Sequence, residues 1–446
     1  MRQIPAVEPE TPARRRVAFY SHDTQGLGHV RRTSLLARAV VDADPDVDVL
    51  LLSGAREATS LPLPERTEVV TLPRVGKDPD RGYGPRTWSG TLDDVVRVRA
   101  GVLDGALAAF RPDVLVVDKV PLGVGGELLP ALRRLRAQGG TACVLGLRDV
   151  LDTPEVAVRE WREQRSTSVV ERFFDEVWVY GDARVYDPLT EYALPDHVAA
   201  RTVFTGYLGR GRASTTSTGY LGRGRASTTS TGYLGRGRAP ATSTTAPRPG
   251  DAPFVLCLVG GGQDGAALAE AFAAASLPAG HRGVLVTGPY LPEATRDRLR
   301  AVAAGRDDLD VRAFVRDVVP LVEGAAAVVT MGGYNSVCEL LASGHPGLVV
   351  PRTHPRAEQL VRACRLAGLG LLDVLVGAIT PERVGAWLAR ATDGDARRRP
   401  EVDVDLDGLA RVPHLVDGLV ERLAAAAPTT APDQQDQQEE EHRATA

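Results

Sequence analysis

The chain has 446 residues, 43% of them hydrophobic and 25% charged, with a formal net charge of −4. That length predicts two domains or three, and the apolar share is enough for sizeable cores. The small negative charge gives no general attraction to nucleic acid or to an anionic membrane. No apolar run reaches membrane-spanning length, and the start MRQIPAVEPETPARRR lacks the apolar centre of a signal peptide, so a cytoplasmic protein is expected.

Residues 1–13 are expected to be disordered. Strands are then predicted at residues 16–20, 47–52, 68–72, 114–117, 142–146 and 176–179, with helices between them, notably 30–42, 91–110 and 154–174. Continuous apolar strands alternating with helices mean a parallel sheet covered on both faces. After the first strand comes Ser21-His22-Asp23-Thr24-Gln25-Gly26-Leu27-Gly28-His29, then a helix with Arg31 and Arg32. Gly26 and Gly28 let the backbone approach a ligand closely. His29 opens the helix, where an imidazole either meets a substrate or simply caps. Asp23 is a candidate base, a support for His29, or a plain turn former. Asp118 ends the strand VLVVD and precedes Lys119 and the turn 123–126, while Arg148 and Asp149 lie in LGLRDVLDTP. All sit where strand ends face a cleft. Trp88 and Tyr83, in RGYGPRTW, either cover a substrate or pack the domain.

The motif TGYLGRGRASTTS fills residues 205–217, recurs at 218–230 and returns with small changes at 231–243. A period of 13 is too short for the usual solenoid units, and the Gly, Ser and Thr content buries too little apolar surface to fold. The segment 205–251 reads as an interdomain linker lengthened by tandem duplication, which costs little. Its Arg-Gly-Arg triplets leave RNA binding as the alternative. The end, residues 428–446, reads as a solvated acidic tail.

The second half repeats the strand pattern at 254–259, 282–287, 311–314, 327–331 and 347–350. Gly260, Gly262 and Gly265 satisfy GxGxxG between a strand and a helix, the dinucleotide fingerprint. That fingerprint wants an acid at the end of the next strand, where Thr287 and Gly288 stand instead, so NAD is disfavoured. Further on, a strand leads to Gly332 and Gly333, a helix carrying Glu339, another strand, and a helix that opens with Glu358 and Gln359. Glycines at such a strand-to-helix turn offer backbone N–H groups and a helix N-terminus to a phosphate. Glu339 is positioned for ribose hydroxyls and Gln359 for another polyol, which together describe a nucleotide-sugar. The four cysteines, Cys143, Cys257, Cys338 and Cys364, lie in apolar segments without a CxxC, as reduced core thiols do.

Gly332-Gly333-x-x-Ser336, Glu339-Leu340, Gly344, Pro346, Val350-Pro351 and Gln359 resemble the donor-binding signature of GT-B glycosyltransferases, and the chain is similar to the MurG-like family over roughly residues 14–427. The resemblance implies an α/β GT-B architecture of two doubly wound Rossmann-like domains facing a cleft. Residues 14–204 would form the acceptor side and residues 252–427 the nucleotide-sugar side. It implies that Gly261, Gly262 and Gln263 face the diphosphate, and that the backbone around Phe314 and Val315 holds the nucleobase. The GxGH loop with Gly26, Gly28 and His29 resembles the family's acceptor-side loop. The expected reaction is inverting transfer of a hexosyl group from a nucleotide-sugar, most simply UDP-linked, to the hydroxyl of an unidentified acceptor, without cofactor. The D-x-D triplets at Asp46 and Asp403 are not at suitable strand ends, so no metal is expected. The base stays open among His29, Asp23 and Asp118. Two alternatives stand beside this reading: a nucleotide-sugar epimerase of the same fold, similar to UDP-GlcNAc 2-epimerases, and a non-catalytic nucleotide-sugar- or RNA-binding protein.

Overall fold

The computed structural model describes residues 14–23, 28–78, 82–209, 252–315, 317–393 and 402–426. Gly26, the tandem repeats from residue 210 onward and both chain ends lie outside them.

The first half runs β1 (Arg16–Ser21), α1 (Gly28–Ala43), β2 (Asp48–Ser53), β3 (Thr67–Thr71), β4 (Val75–Asp78), β5 (Gly82–Pro85), α2 (Leu92–Phe110), β6 (Val114–Asp118), α3 (Leu129–Gln138) and β7 (Ala142–Arg148). It continues with α4 (Pro154–Glu163), α5 (Ser166–Phe173), β8 (Glu176–Tyr180), α6 (Pro188–Glu191), α7 (Asp196–Ala199) and β9 (Thr202–Phe204). Seven strands form one sheet in the order β3-β2-β1-β6-β7-β8-β9, all parallel, while β4 and β5 make a separate antiparallel hairpin. Every residue of β6 is buried, as a central parallel strand covered on both faces requires.

The second half runs β10 (Phe254–Leu258), α8 (Ala266–Ala274), β11 (Arg282–Val286), α9 (Glu293–Ala304), β12 (Leu309–Arg312), α10 (Val319–Gly324), β13 (Ala327–Thr330) and α11 (Tyr334–Ser343). Then come β14 (Gly347–Val349), α12 (Glu358–Gly368), β15 (Asp373–Val374), α13 (Pro381–Thr392) and α14 (Gly408–Ala426). Its sheet order, β12-β11-β10-β13-β14-β15, is the doubly wound 3-2-1-4-5-6 arrangement. In both sheets the strand order reverses at the first strand, between β1 and β6 and between β10 and β13. Ligands of such sheets bind outside the strand ends at these switch points.

Helix and domain boundaries depart from the sequence reading. The single helix expected over 154–174 is two, because Arg165 takes a left-handed φ of 50° and ends the hydrogen-bond ladder between α4 and α5. The boundary at 205 falls inside ordered chain: Thr205, Tyr207 and Leu208 are buried. Residues 252–427 also do not all belong to the second half. Helix α14 lies on α1 and reaches β6 and β7 of the first sheet, with Arg15 pairing to Asp417 and Arg422 to Glu176. The chain therefore crosses between the halves twice, and the crossings are joined by Tyr207 N–H to Asp405 O at 2.8 Å and Gly408 N–H to Tyr207 O at 3.1 Å. One apolar core runs through both halves by way of Tyr207, Leu208, Tyr334 and Val416. Cys143, Cys257 and Cys338 are buried thiols as expected, whereas Cys364 is exposed. Among the described residues no helix is long and apolar enough to cross a membrane.

Candidate active site

Because β1 and β6 are paired neighbours, the loop after Ser21 and the carboxylate of Asp118 emerge side by side. Helix α1 opens there, and His29 Nδ1 meets Asp118 Oδ2 in a short hydrogen bond. Arg32 lies three residues further on the same helix face, where side chains meet. It donates from Nε to Asp118 Oδ1 at 2.8 Å and from Nη2 to Oδ2 at 2.7 Å. Arg32 and Asp118 side chains are each only 2% exposed, against 15% for His29. Burial alone would raise the Asp118 carboxyl, but Arg32 and His29 outweigh it and hold it well below the usual carboxylate range. An ionised carboxylate only accepts, so Nδ1 of His29 carries the proton and Nε2 is left with its lone pair. Burial also lowers the His29 imidazole below its ordinary value, with Asp118 opposing, which keeps it neutral at pH 7. The result is a neutral, oriented imidazole backed by a fixed anion.

Asp23 has a different task. At a left-handed φ of 43°, its Oδ1 accepts from Val30 N–H at 3.0 Å, and its Oδ2 from the hydroxyls of Ser53 at 2.7 Å and of Ser21. The carboxylate thus caps the first turn of α1 and ties it to β1 and β2. His22 packs against His29 with ring centroids 4.5 Å apart and the ring planes tilted by 54°, its Nδ1 buried without a partner among the described residues. Burial, then the neighbouring His29, push the His22 imidazole well below its ordinary value. The unfolded chain therefore takes up the His22 proton first, and stability falls as the pH drops below about 6.5. His22→Phe should make the acid side of the melting temperature against pH shallower; an unchanged slope would show that His22 is not the group responsible.

Across the cleft, Gly332 takes a φ of 80°, and a Cβ on it would lie 2.5 Å from Val349 Cγ1, so glycine is required for the turn into α11. Gly333 caps α11 without any side-chain cap, and the space beside it is open. The first-turn N–H groups of α11 are thus available to an anion. Asn335 Nδ2 donates to Gly28 O at 3.2 Å, so the first turns of α1 and α11 meet, and their positive ends converge. Glu339, one turn into α11, accepts from Arg31 Nη2 of α1 at 3.2 Å, and Ser336 is half-buried on the same helix. Gly261 and Gly262 are pinned by Tyr290 N–H to Gly261 O and Gly262 N–H to Val259 O, and α8 begins only at Ala266. Gln263 is exposed and lines a cavity of about 210 Å³ between the halves, with Asp23, Glu57, Arg74, Arg86 and Tyr290. Phe314 is 44% exposed, while Val315 is buried in the core. Glu358 is buried at the start of α12 and accepts from Arg352 Nη2 at 2.8 Å; Gln359 Oε1 accepts from Arg352 N–H at 3.0 Å.

Asp149, expected on the acceptor side, is instead fully buried between the halves. Arg362 of α12 donates to it from Nε at 2.9 and 2.8 Å and from Nη2 at 2.6 Å, and Tyr207 Oη donates at 2.9 Å. Arg362 and Arg32 lie on the Tyr334 ring, 5.5 and 5.6 Å from its centroid. Tyr334, in contact with both guanidinium groups, links the Asp118 pair to the Asp149 pair. Arg32, Tyr334, Arg362 and Tyr207 carry this arrangement. Of them only Arg32 had a local signal, its spacing from His29.

Residues 255–395 match the family model described as "Glycosyltransferase family 28 C-terminal domain". Over 188 residues the chain is 30% identical to a UDP-N-acetylglucosamine--N-acetylmuramyl-(pentapeptide) pyrophosphoryl-undecaprenol N-acetylglucosamine transferase from Methylorubrum extorquens. That alignment covers 40% of this chain and 49% of the relative. The chain thus spans about half the length of the curated relatives it matches. Among solved structures, the spinosyn forosaminyltransferase SpnP superposes with a TM-score of 0.53 at 15% identity, over 91% of this chain and 95% of that one. The glycotransferase of kitacinnamycin gives 0.51 at 18% identity, over 93% and 98%. A protein assigned as a UDP-N-acetylglucosamine 2-epimerase from Listeria monocytogenes also gives 0.51, at 14% identity, over 94% and 99%. The architecture is GT-B, two Rossmann-like domains facing a cleft, and the resemblance to MurG-like glycosyltransferases read from the sequence holds. At these identities the solved structures speak for the fold alone.

Proposed function

We propose that this chain transfers a glycosyl group from a nucleoside-diphosphate sugar to an acceptor hydroxyl, by one in-line displacement with inversion. The observation that carries the reading is the Asp118-oriented imidazole of His29 in the first turn of α1, which meets the uncapped first turn of α11 through Gly28 and Asn335. In this mechanism Nε2 of His29 takes the proton of the acceptor hydroxyl as its oxygen attacks the anomeric carbon. The bond from that carbon to the β-phosphate oxygen breaks, and its electron pair leaves on the diphosphate. Asp118 stabilises the imidazolium that forms. The convergent N-termini of α1 and α11 neutralise the leaving charge, a task that needs neither metal nor cofactor. Glu339 reads the ribose, Phe314 and the backbone at Val315 the nucleobase, and Glu358 with Gln359 the sugar. UDP is the first nucleotide to test, because the curated relatives are named for UDP-N-acetylglucosamine transfer. A cytoplasmic location belongs to the same proposal.

Calorimetric titration with UDP, GDP, dTDP and NAD tests the donor site. One nucleoside diphosphate is expected to bind, and Glu339→Ala to weaken it about 10- to 100-fold, the loss of hydrogen bonds to a charged group. NAD binding without any response to a nucleoside diphosphate would overturn the reading.

A further inference from the structure

Lys119 and Arg148 stand at adjacent strand ends of the first half. Asp118 is in register with Gly146, and Lys119 N–H donates to Gly146 O at 2.8 Å, two residues before Arg148. Lys119 follows the Asp118 carboxylate directly and takes a left-handed φ of 67°, a strained conformation of the kind that gathers at functional sites. The cations around them are matched: Arg32 with Asp118, Arg362 with Asp149, Arg352 with Glu358 and Asp264, Arg356 with Glu160 and Asp152. Lys119 and Arg148 are not. Both are half-buried, neither makes a side-chain hydrogen bond or ion pair with the described residues, and Arg148 Nε is buried without an acceptor. Burial, and then Arg148 and Arg356, push the Lys119 ammonium down to about 7, against the opposing pull of Glu358 and Glu160. Burial pushes the Arg148 guanidinium down to about 10, with Glu358 as the main opposing charge. Desolvated cations that repel one another and have no hydrogen-bonded counter-charge are unfavourable unless a ligand supplies the anion.

Resting on the glycosyl-transfer reading, we infer that Lys119 and Arg148 form an anion subsite that holds a carboxylate or phosphate group of the acceptor, one residue from the Asp118 that orients His29. The site sits on the strand ends of the first half, whereas the glycine turns at Gly262 and Gly333 that would face the donor diphosphate belong to the second. A substrate anchored there presents a neighbouring hydroxyl to His29, so the acceptor class is an acidic or phosphorylated one.

The test is calorimetric titration of inorganic phosphate into the full chain, with and without saturating UDP, for wild type, Lys119→Met and Lys119→Gln/Arg148→Gln. Phosphate is expected to bind wild type equally well with UDP present, and to bind the double variant at least tenfold more weakly. It should raise the melting temperature of wild type but not of the double variant. Equal phosphate affinity in wild type and variants, or no binding to wild type, overturns the subsite. Displacement of phosphate by UDP assigns the cations to the donor diphosphate and overturns the acceptor assignment. So does a preference for UDP-glucuronic acid over UDP-glucose that disappears in the variants, since the anion would then be the donor's. The UDP titration is read separately, so failure of the glycosyl-transfer reading appears as absent UDP binding, whatever phosphate does.

Discussion

His29→Ala is expected to lower the rate of glycosyl transfer by about 10²–10⁴, the usual contribution of a positioned general base, while changing UDP affinity less than about fivefold. The expectation follows from the division of labour at the β1–β6 switch point. Asp118 is held anionic by Arg32 and fixes the His29 tautomer, so only Nε2 is free to accept a proton. Asp118→Asn should produce a comparable loss. An amide turned toward Nδ1 offers its N–H₂ and favours the tautomer whose Nε2 is already protonated, as a triad with its acid replaced does. The pH profile adds an independent readout. A base works only when deprotonated, so kcat/KM should be high above the His29 pKa and fall as the pH drops through it. Burial lowers that pKa, so the acid limb should lie below the ordinary histidine value of about 6.5. Turnover is followed as UDP release with any acceptor that supports it. Wild-type turnover in His29→Ala, or an acid limb that survives the substitution, would assign the proton to another group.

Much of this arrangement is legible in the sequence because it is local. Uninterrupted apolar runs such as VLVVD mark central strands, and the residue that ends such a run must stand at the cleft, which puts Asp118 there. His29 at a helix start, and Glu339 one turn past a glycine pair, follow from the same positional logic. The three candidate bases could not be separated in sequence, because their tasks depend on partners elsewhere: Asp23 on Ser53, Asp118 on Arg32 and His29. Asp149 illustrates the limit. Its neighbours in sequence suggest a cleft loop, but its partner Arg362 is 213 residues away, and no periodicity relates the two. The return of α14 to the first sheet is hidden for the same reason, since an amphipathic helix does not state which core it covers. The hairpin β4–β5, rich in Gly, Pro and charged residues, shows no apolar alternation, and β15 is two residues long. Neither gives a pattern to read. Arg165 breaks an otherwise continuous helical run by backbone conformation alone.

Arg362→Ala and Asp149→Ala should each destabilise the protein by about 3–5 kcal/mol, the cost of leaving one member of a buried ion pair without its partner. Both side chains are fully buried, and the remaining charge would keep only neutral partners: Tyr207 Oη and Val150 N–H for Asp149, and the Gly332 and Val150 carbonyls and the Tyr334 ring for Arg362. A loss of that size lowers the melting temperature by roughly 10 °C in a protein with domains of this length. The double variant Asp149→Leu/Arg362→Met removes both charges with similar volume, so it should recover most of the stability, because an apolar pair there needs no desolvation of ions. The double-mutant cycle then measures the coupling directly, and strictly additive losses would show that the two groups do not act as a pair. Activity should separate from stability in the same series. Arg362 and Arg32 both lie against the Tyr334 ring, and Tyr334 Oη accepts from Leu208 N–H on the crossing segment at 3.2 Å. The pair therefore fixes the second half against the first near the point where the first turns of α1 and α11 meet. In the double variant the fold is restored but that alignment is not, so transfer should stay below wild type while the melting temperature returns. Full recovery of both would mean that the alignment of the cleft is set by the continuous apolar core through Tyr207 and Val416, and not by the ion pair.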